Sequence, residues 1–321
     1  MQPGPLGVKN TISQAAVDEA LDRPQKTARI SVIIPTMNEP AISRVINETK
    51  QALKHFETEV VVVDKSTDDT ARKARKAGAV VITQEDVGYG NAYTVGFNNI
   101  SHDTDIVVMM DGDYTYDPYE IPALIEPIVN GKADMVLGNR FAGMEDGAMT
   151  ARNRLGNRII TRFINILYRL RLKDTQTGFR AIRASALRGL EFTSDGMPFA
   201  SEMIIDARKK SLGILEVPIR YRQRVGEAKL KAYKDGSLII SLIIRMVRDY
   251  NPLVIFMPIG VLLILAGLAL GSYVIYLYMI TSRVDRIAST ILSAFLIMTG
   301  LQIILFSLMT DILLVALRSR R

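Results

Sequence analysis

Two long apolar stretches near the end of the chain constrain its fold more than any other sequence feature. Residues 252–280 are almost wholly apolar, and residues 287–317 carry only a few polar side chains. Each stretch exceeds the roughly 20 residues that an α-helix needs to cross the hydrocarbon core of a bilayer. Only residues 281–286 separate them. The sequence therefore predicts a two-helix transmembrane hairpin within residues 251–321, with spans at about 253–280 and 287–317.

The charges around the hairpin indicate its orientation. The short loop carries Arg283 and Arg286, offset by Asp285. Two spans return the chain to the side on which the preceding domain lies. That side carries more basic residues than the loop, so the positive-inside rule predicts that the domain lies in the cytoplasm. Asp311 is costly facing lipid, so we expect it near the headgroups or against a partner. Hairpins of two spans often pair, and a homodimer is a further expectation. Basic residues flank the outer ends of the hairpin: Arg245, Arg248, Arg318, Arg320 and Arg321.

Before the hairpin, short apolar segments alternate with helical patterns. Strands are expected at 30–34, 60–63, 79–82, 105–110, 134–137 and 214–221, and helices at 41–56, 68–76, 89–98, 121–129 and within 192–210. This pattern predicts an α/β domain over residues 30–233, built on a parallel sheet with helices on both faces. Ligands of such sheets bind beyond the carboxyl ends of the strands. Residues 1–29 lack the apolar segment of a secretory signal, so we expect an N-terminal extension there.

Basic amphipathic helices are expected beside the membrane segments. Residues 151–173 contain seven basic side chains and no acidic one, and a helix at about 154–171 separates an Arg face from an apolar face. Such a helix is typical of a membrane interface, although it could instead pack on the sheet with its Arg face in solvent. A second interface helix is expected at 234–250. The chain has a net charge of +7, and the location of its basic residues beside the membrane segments favours a membrane surface over nucleic acid as its partner.

A pair of carboxylates follows the strand at 105–110. The chain has no Cys, and neither of its two His residues has a ligand-spaced partner, so a metal would have to bind carboxylates. Asp111 and Asp113, separated by Gly112, suit Mg²⁺ or Mn²⁺ together with substrate phosphates. The alternative is an ordinary turn, because Asp and Gly commonly end strands. Asp64 and Glu39 are expected at the same sheet edge, which favours the metal site.

Four motifs in this order resemble the family 2 glycosyltransferases, which have the A-type nucleotide-sugar-binding fold (GT-A). They are Pro35-Thr36-Met37-Asn38-Glu39, Asp64-x-Ser66-x-Asp68, Gly88-x-Gly90 and Asp111-x-Asp113. Three later motifs are more specific and are similar to those of dolichyl-phosphate mannose and polyprenyl-phosphate glucose synthases. These are Gly138-Asn139-Arg140, Asp174-Thr175-Gln176-Thr177-Gly178-Phe179-Arg180 and Arg224-x-Gly226-x-Ala228-Lys229. The resemblance covers residues 30–231.

The resemblance implies an inverting, metal-dependent transfer of a hexose from a nucleotide-sugar to an isoprenoid lipid. It favours mannose from GDP-mannose and dolichyl phosphate as acceptor, with UDP-glucose as an alternative donor. Asp111 and Asp113 would hold Mn²⁺ or Mg²⁺. The resemblance assigns ten residues to the donor: Pro35, Thr36, Asn38, Glu39, Asp64, Ser66, Gly90, Asp111, Gly112 and Asp113. It assigns eight to the acceptor and its phosphate: Arg140, Arg152, Arg154, Asp174, Gln176, Arg180, Arg224 and Lys229.

Two positions leave the acceptor and the metal contacts open. Glu202 lies where related enzymes carry a base for hydroxyl acceptors, but Met203 replaces the Asp that is usual there. Glu202 is therefore either the base for a sugar hydroxyl or a support for a site whose acceptor is a phosphate. Thr115 stands where mannose synthases often have Gln, which leaves a third metal contact open. The chain has no Trp, which excludes the Trp-containing motif of processive synthases, and the intact carboxylate motif disfavours a non-catalytic binding module.

Overall fold

The computed structural model describes residues 28–192, 194–226, 252–282 and 286–318. The expected interface helix at 234–250 and the acceptor residue Lys229 lie outside these ranges. The strands are β1 Arg29–Thr36, β2 Glu57–Asp64, β3 Val80–Thr83, β4 Ile106–Met109, β5 Met135–Met144, β6 Arg180–Arg183 and β7 Ile214–Tyr221. The helices are α1 Ile42–Ala52, α2 Thr70–Lys76, α3 Tyr89–Phe97, α4 Ile121–Val129, α5 Ala151–Tyr168, α6 Ala184–Leu187, α7 Phe199–Lys209, α8 Pro252–Thr281 and α9 Ile287–Arg318.

The seven strands form one mixed sheet in the order β3-β2-β1-β4-β6-β5-β7. The pairs β3/β2, β2/β1, β1/β4 and β5/β7 are parallel, as the sequence predicts. Strand β6, however, runs antiparallel between β4 and β5, so the expectation of a wholly parallel sheet is wrong. Only four residues long with Arg at both ends, β6 lacks the apolar run by which the other strands were recognised.

Alternating apolar side chains of the central strands build a core layer on each face of the sheet. In β1, Ile30, Val32 and Ile34 pack into one layer, whereas Ile33 packs into the opposite layer with Val61 of β2. All five are fully buried or nearly so, and burying such a side chain stabilises the fold by roughly 1.5–3 kcal/mol. The covered faces hold the strand ends in fixed positions.

The carboxyl ends of β2, β1 and β4 lie side by side at one edge of the sheet. Thr36, the last residue of β1, pairs with Asp64, the last residue of β2. On the other side of β1, Ile33 pairs with Met109, the last residue of β4. This register brings Asp64 and the carboxylates that follow β4 to the same edge, as the sequence predicts.

Helix α5 begins after Thr150, whose hydroxyl accepts the Asn153 N–H, and ends at Arg169 in the left-handed conformation (φ 52°). It is therefore displaced by about one turn from the expected 154–171. Its domain-facing side buries Ile160, Thr161 and Ile164. The apolar residues Leu155, Ile159 and Ile166 are exposed, at 60%, 41% and 57%. Helix α5 thus packs on the domain with one side and presents an apolar stripe beside its arginines.

Helices α8 and α9 form the expected hairpin, and both are long and apolar enough to cross a membrane. The two helices approach closely where small residues face each other. A Cβ atom on Gly300 would lie 2.6 Å from the Gly260 carbonyl oxygen. The Ser293 hydroxyl donates to the Gly267 carbonyl oxygen at 2.7 Å. Such contacts are typical of membrane helices, which associate through small residues and interhelical hydrogen bonds.

Candidate active site

The loop after β4 carries Asp111 and Asp113 away from the sheet and then reverses direction. Tyr114 adopts a left-handed backbone conformation (φ 67°), which is uncommon for a bulky side chain. The guanidinium groups of Arg44 and Arg222 lie 4.2 and 4.7 Å from the centroid of its ring. The Tyr114 hydroxyl also donates to Glu48. These three contacts hold the reversal and therefore the direction of the Asp113 side chain.

Asp111 is enclosed by Tyr89 and Gly178. The Tyr89 hydroxyl donates to Asp111 Oδ1 at 3.1 Å. A Cβ atom on Gly178 would lie 2.7 Å from both Asp111 Oδ2 and the Tyr89 hydroxyl, so any larger residue there would displace one of these two side chains. Burial, together with repulsion from Asp113, raises the pKa of Asp111 to about 7. A cation bound by both carboxylates would relieve this repulsion.

Asp113 is held from two sides. Its Oδ1 accepts both the backbone N–H and the hydroxyl of Thr115, at 3.1 and 2.6 Å. Its Oδ2 lies 3.5 Å from the Arg224 guanidinium. Thr115 thus positions Asp113.

The donor set fits a hard divalent cation. Asp111 and Asp113 would supply two oxygen ligands, and among the described residues no group of three or more His, Cys, Asp or Glu side chains could hold a metal. Two carboxylates completed by water and substrate phosphates are the usual binding mode of Mg²⁺ and are also suited to Mn²⁺. The raised pKa of Asp111 supports the same fit, because a bound cation would stabilise both ionised carboxylates.

Asp64 forms a compact cluster with the ends of β1 and β2. The Thr36 and Ser66 hydroxyls each donate to Asp64 Oδ1 at 2.6 Å. The Ser66 hydroxyl also accepts the backbone N–H of Asn38 at 2.7 Å. Asn38 is left-handed (φ 55°), and its side-chain oxygen accepts the Thr67 N–H at 2.8 Å. The two loops that follow β1 and β2 are therefore tied together around one carboxylate.

Glu39 connects this cluster with the loop that follows β7. It is 5% exposed, and its carboxylate accepts from Arg224 at 2.6 Å. The backbone N–H groups of Arg222 and Val225 donate to the carbonyl oxygens of Thr115 and Asp113. The loop thus runs along the carboxylate segment and brings Arg224 between Glu39 and Asp113.

Of the three remaining donor-side residues, Pro35 lies in a strand, and Gly112 and Gly90 allow close approach of neighbouring segments. Pro35 lies inside β1, one residue later than the expected end of that strand. A Cβ atom on Gly112 would lie 3.0 Å from the Thr36 side chain. One on Gly90, near the start of α3, would lie 2.1 Å from the Ser194 carbonyl oxygen. The two glycines let the carboxylate loop approach β1 and the segment before α7 approach α3.

Arg140 and Asp174 form a buried bidentate ion pair. The guanidinium donates to the two carboxylate oxygens at 2.7 and 2.9 Å, and Asp174 is fully buried. The Arg140 guanidinium also lies 5.3 Å from the ring centroid of Tyr221. Glu216 accepts the Asp174 backbone N–H at 2.7 Å, which fixes the start of the segment at 174–180. The pair holds that segment against β5.

Arg180 acts on backbone in this structure. It is 1% exposed and donates to the carbonyl oxygens of Thr175, Thr177 and Ala200 at 2.7–2.9 Å. Burial lowers the pKa of its guanidinium. The Gln176 side chain donates to the Ser201 hydroxyl at 2.8 Å, so both residues join the segment at 174–180 to the start of α7. These contacts join the Arg180 guanidinium to the backbone of the segment at 174–180 and of α7, and the phosphate contact that the resemblance implies stays a prediction.

Glu202 lies in the first turn of α7 and accepts the Ser194 backbone N–H at 2.9 Å. In the first turns of α5, Arg152 is exposed, whereas Arg154 turns back towards β5, with its guanidinium 3.4 Å from the Met144 sulfur. Arg154 is therefore the one of the two that contacts the domain.

Three positioning residues escaped the sequence analysis. Tyr89 occupies the middle of the Gly88-x-Gly90 motif, so the motif itself contained the signal. Tyr116 accepts the Gly178 N–H at 2.8 Å, and Glu216 lies within an apolar strand segment. Neither of these two stands in a recognisable pattern, because their partners are distant in sequence.

Comparison with known proteins assigns the family. A model of glycosyl transferase family 2 matches residues 31–190. The glycosyltransferase AglJ of Haloferax volcanii is 31% identical over 288 residues, which are 89% of this chain and 93% of that protein. A dolichyl-phosphate hexose transferase of the same organism is 35% identical over 219 residues, 68% of this chain and 93% of that protein.

A third relative is matched over only part of its own length. The low-salt glycan biosynthesis hexosyltransferase of Haloferax volcanii is 40% identical over 212 residues, which are 64% of this chain. The match spans about half of that relative, 51% of its length.

Among solved structures, glucosyl-3-phosphoglycerate synthase of Mycobacterium tuberculosis is similar in fold. Its complex with Mn²⁺, uridine diphosphate and phosphoglyceric acid superposes with a TM-score of 0.56 at 22% identity, covering 73% of this chain and 81% of that one. This likeness confirms the A-type fold that the motifs predict. The family match and the two relatives that are covered over 93% of their length identify the chain as a family 2 glycosyltransferase.

Proposed function

We propose that the chain is a polyprenyl-phosphate hexosyltransferase, which moves a hexose from a nucleoside diphosphate sugar to an isoprenoid phosphate with inversion. The observation that carries this proposal is the position of Arg224, between Glu39 and Asp113 at the carboxylate edge of the sheet. A cationic side chain there lies where the departing diphosphate and the incoming phosphate meet. The relative named dolichyl-phosphate hexose transferase supports the same acceptor class.

The donor half of the site is the edge formed by β1, β2 and β4. Asp64, Glu39 and the backbone around Gly112 bind the nucleoside, and Asp111 with Asp113 faces the diphosphate. A divalent cation bound by these carboxylates would neutralise the charge that develops on the departing nucleoside diphosphate. Tyr89 and Thr115 keep the carboxylates in place, which preorganises the site for that charge.

The acceptor half is formed by the segment at 174–180, the end of β5 and the loop after β7. Arg224 binds the acceptor phosphate through its guanidinium fork, with Arg154 and Lys229 adding positive charge. Arg140, Asp174, Gln176 and Arg180 shape the segment. An acceptor phosphate is already ionised, so a single displacement needs neither an enzymic nucleophile nor a strong general base.

The helices that would face the membrane suit the same isoprenoid acceptor. The exposed apolar stripe of α5 and its arginines suit a headgroup interface, where the isoprenoid chain lies. Helices α8 and α9 anchor the domain at the cytoplasmic face, and pairing of two hairpins into a homodimer is part of the same proposal.

The test uses the purified full chain with Mn²⁺, dolichyl phosphate and labelled hexose donors of guanosine and uridine diphosphate. We expect an acid-labile labelled lipid, identified by mass spectrometry. Asp113→Ala should abolish transfer, and Asp103→Ala, which removes an exposed carboxylate of a surface ion pair, should retain it. Failure of every donor to label any phosphate acceptor, or full activity in EDTA, would contradict the proposal.

A second acceptor class, a sugar hydroxyl of a lipid-linked glycan, needs Glu202 as base. Glu202→Gln should change transfer to a phosphate little, but should slow transfer to a hydroxyl by roughly 10²–10⁴-fold. The matched control is Glu126→Gln, because Glu126 is an exposed glutamate. A large loss in Glu202→Gln alone with a lipid-linked sugar as acceptor would favour the hydroxyl mechanism, whereas a large loss with dolichyl phosphate would contradict the role of Glu202 as a base for hydroxyls only.

The same assay identifies the sugar that the donor carries. The motif resemblance favours mannose from GDP-mannose, whereas the similar fold was solved with uridine diphosphate. Mannose and glucose donors of both nucleosides are therefore compared.

A further inference from the structure

Glu202 extends from a fixed point at the start of α7. Arg180 donates to the carbonyl oxygen of Ala200 at 2.7 Å, which ties the first turn of this helix to the strand β6. Two residues later, the Glu202 carboxylate accepts the backbone N–H of Ser194 at 2.9 Å. Glu202 thus joins a fixed helix end to the chain that precedes it, which we call the strap (residues 194–198).

The strap lies against the first turn of α3. The Asp195 carbonyl oxygen accepts the Asn91 backbone N–H at 3.0 Å. A Cβ atom on Gly88 would lie 2.2 Å from that same oxygen, and one on Gly90 would lie 2.1 Å from the Ser194 carbonyl oxygen. Two consecutive peptide groups of the strap therefore pack directly on the backbone of this turn, at positions without a side chain.

Tyr89 stands between the two glycines of this turn, and its hydroxyl donates to Asp111 Oδ1 at 3.1 Å. The backbone that carries the Tyr89 ring is therefore the backbone that the strap contacts. On the inner side, Tyr93 meets the Tyr89 ring edge to face, with 5.0 Å between the centroids, and stacks on Phe199 at 5.7 Å. A continuous series of contacts thus leads from the Glu202 carboxylate to Asp111.

Resting on the function proposed above, in which Asp111 binds a divalent cation, we propose that Glu202 is a positioning residue for that cation site. It acts through the strap, the first turn of α3 and the Tyr89 hydroxyl. In this role its carboxylate is a hydrogen-bond acceptor at a fixed distance and transfers no proton. The role therefore differs from that of the base which a hydroxyl acceptor requires.

Two conservative substitutions separate the roles that a glutamate can have at this position. Glu202→Gln keeps the length and an accepting oxygen but cannot ionise. Glu202→Asp keeps the charge, which also favours the start of a helix, but withdraws the carboxylate by one bond length, about 1.5 Å. A positioning role tolerates Gln better than Asp. A base, or a charge that only stabilises the helix, tolerates Asp better than Gln.

Calorimetric titration of the full chain with Mn²⁺ measures the effect of both variants. We expect Glu202→Gln to bind Mn²⁺ as the wild type does, and Glu202→Asp to bind roughly three- to tenfold more weakly, because it acts one contact further from the metal than a group that touches a ligand. Glu191→Asp changes an exposed glutamate of the same connection and should bind as the wild type does. Equal affinities in all three variants, or weaker binding in Glu202→Gln than in Glu202→Asp, would overturn the proposal.

The route through Tyr89 is tested by combining substitutions. In a Tyr89→Phe background, the hydroxyl that Glu202 positions is gone, so adding Glu202→Asp should weaken Mn²⁺ binding by less than about twofold further. A helix that is merely destabilised would lose affinity equally in both backgrounds. Losses that multiply would show that Glu202 acts without Tyr89, and would overturn the proposal.

Hydrogen exchange separates this inference from the proposed function, because it needs no metal. Mass spectrometry should show faster exchange in Glu202→Asp for peptides that cover the strap and the first turn of α3, and wild-type exchange in Glu202→Gln. Failure of the wild type to bind Mn²⁺ would contradict the metal site, and this exchange would still decide the role of Glu202. Unchanged exchange in Glu202→Asp, with lipid product still formed by the wild type, would overturn that role and leave the transfer standing.

Discussion

At the scale of single residues, the site depends on groups that fix the carboxylates from behind. Asp111 keeps its orientation through the Tyr89 hydroxyl, and Asp113 through Thr115. Removing either hydroxyl keeps the carboxylate but frees its side chain to rotate. We therefore expect the affinity for a metal to fall while the fold is retained.

Tyr89→Phe should weaken Mn²⁺ binding by roughly tenfold, in the range seen when groups behind a metal ligand are removed. The Tyr89 hydrogen bond lowers the pKa of Asp111, so its loss should raise that pKa further. Calorimetric Mn²⁺ titration measures the effect. Tyr119→Phe, which removes an exposed hydroxyl bonded to Gln51, is the control, and equal affinities in both variants would contradict the role of Tyr89.

The raised pKa of Asp111 predicts a pH dependence of metal binding. Burial and Asp113 raise this pKa to about 7, so part of the population is protonated at neutral pH before a cation binds. Mn²⁺ must displace that proton, and affinity should therefore rise from pH 6 to pH 8 with proton release. Calorimetry in buffers of different ionisation enthalpy measures the released protons. In Asp111→Asn the release should disappear, and its persistence would assign the proton to another group.

At the scale of elements, the sequence predicts the apolar strands β1, β2, β4 and β7 and the edge at which their carboxylates meet, because period and strand-end residues are local signals. It misses the antiparallel β6 and the clamp by Arg180. Both depend on partners far along the chain, such as Val107 opposite Ile182. From the sequence alone, Arg180 could equally be a phosphate ligand or a residue that binds backbone carbonyl oxygens, and only its burial in the structure distinguishes the two.

Arg180→Met should lower the free energy of unfolding by about 3 kcal/mol or more, because three buried carbonyl oxygens lose their donor. For a domain of this size that corresponds to a fall in Tm of roughly 6–12 °C. Thermal unfolding of the full chain in detergent measures it. Arg188→Met removes an exposed arginine and should leave Tm nearly unchanged; a similar Tm for both variants would remove Arg180 from the clamp.

Gly178→Ala tests how the segment before β6 meets the carboxylates. The added methyl group would lie 2.7 Å from both Asp111 Oδ2 and the Tyr89 hydroxyl, so one of them must move. We expect transfer to fall by at least about 10²-fold, as misplacement by about 1 Å does elsewhere, with little change in Tm. Gly213→Ala, where the nearest atom is 3.5 Å away, is the control. Normal activity in Gly178→Ala would show that Asp111 does not need its present position.

At the scale of the whole molecule, the hairpin predicts which side of the membrane the catalytic domain occupies. Helices α8 and α9 are joined at the hairpin loop, so the loop and the domain should face opposite sides of the bilayer. The sequence carries more basic residues on the domain side of the hairpin than in the hairpin loop, which favours the domain in the cytoplasm.

The chain contains no cysteine, so single cysteines report topology without a background. In intact cells, a membrane-impermeant maleimide should label Ser282→Cys at the hairpin loop and spare Asp103→Cys on the domain. Permeabilised cells should give labelling of both. Labelling of Asp103→Cys alone in intact cells would invert the orientation, and labelling of both would exclude a spanning hairpin.

The pairing of Thr36 with Asp64 has a consequence for how this scaffold can be redesigned. In the proposed function the base contact would lie on two strand ends whose register the sheet holds, whereas the acceptor side would be built from segments at 174–180 and 222–226. New acceptors could then be engineered by exchanging those segments, with the choice of nucleotide carried over intact. Changing the nucleotide would instead require edits at the strand ends themselves.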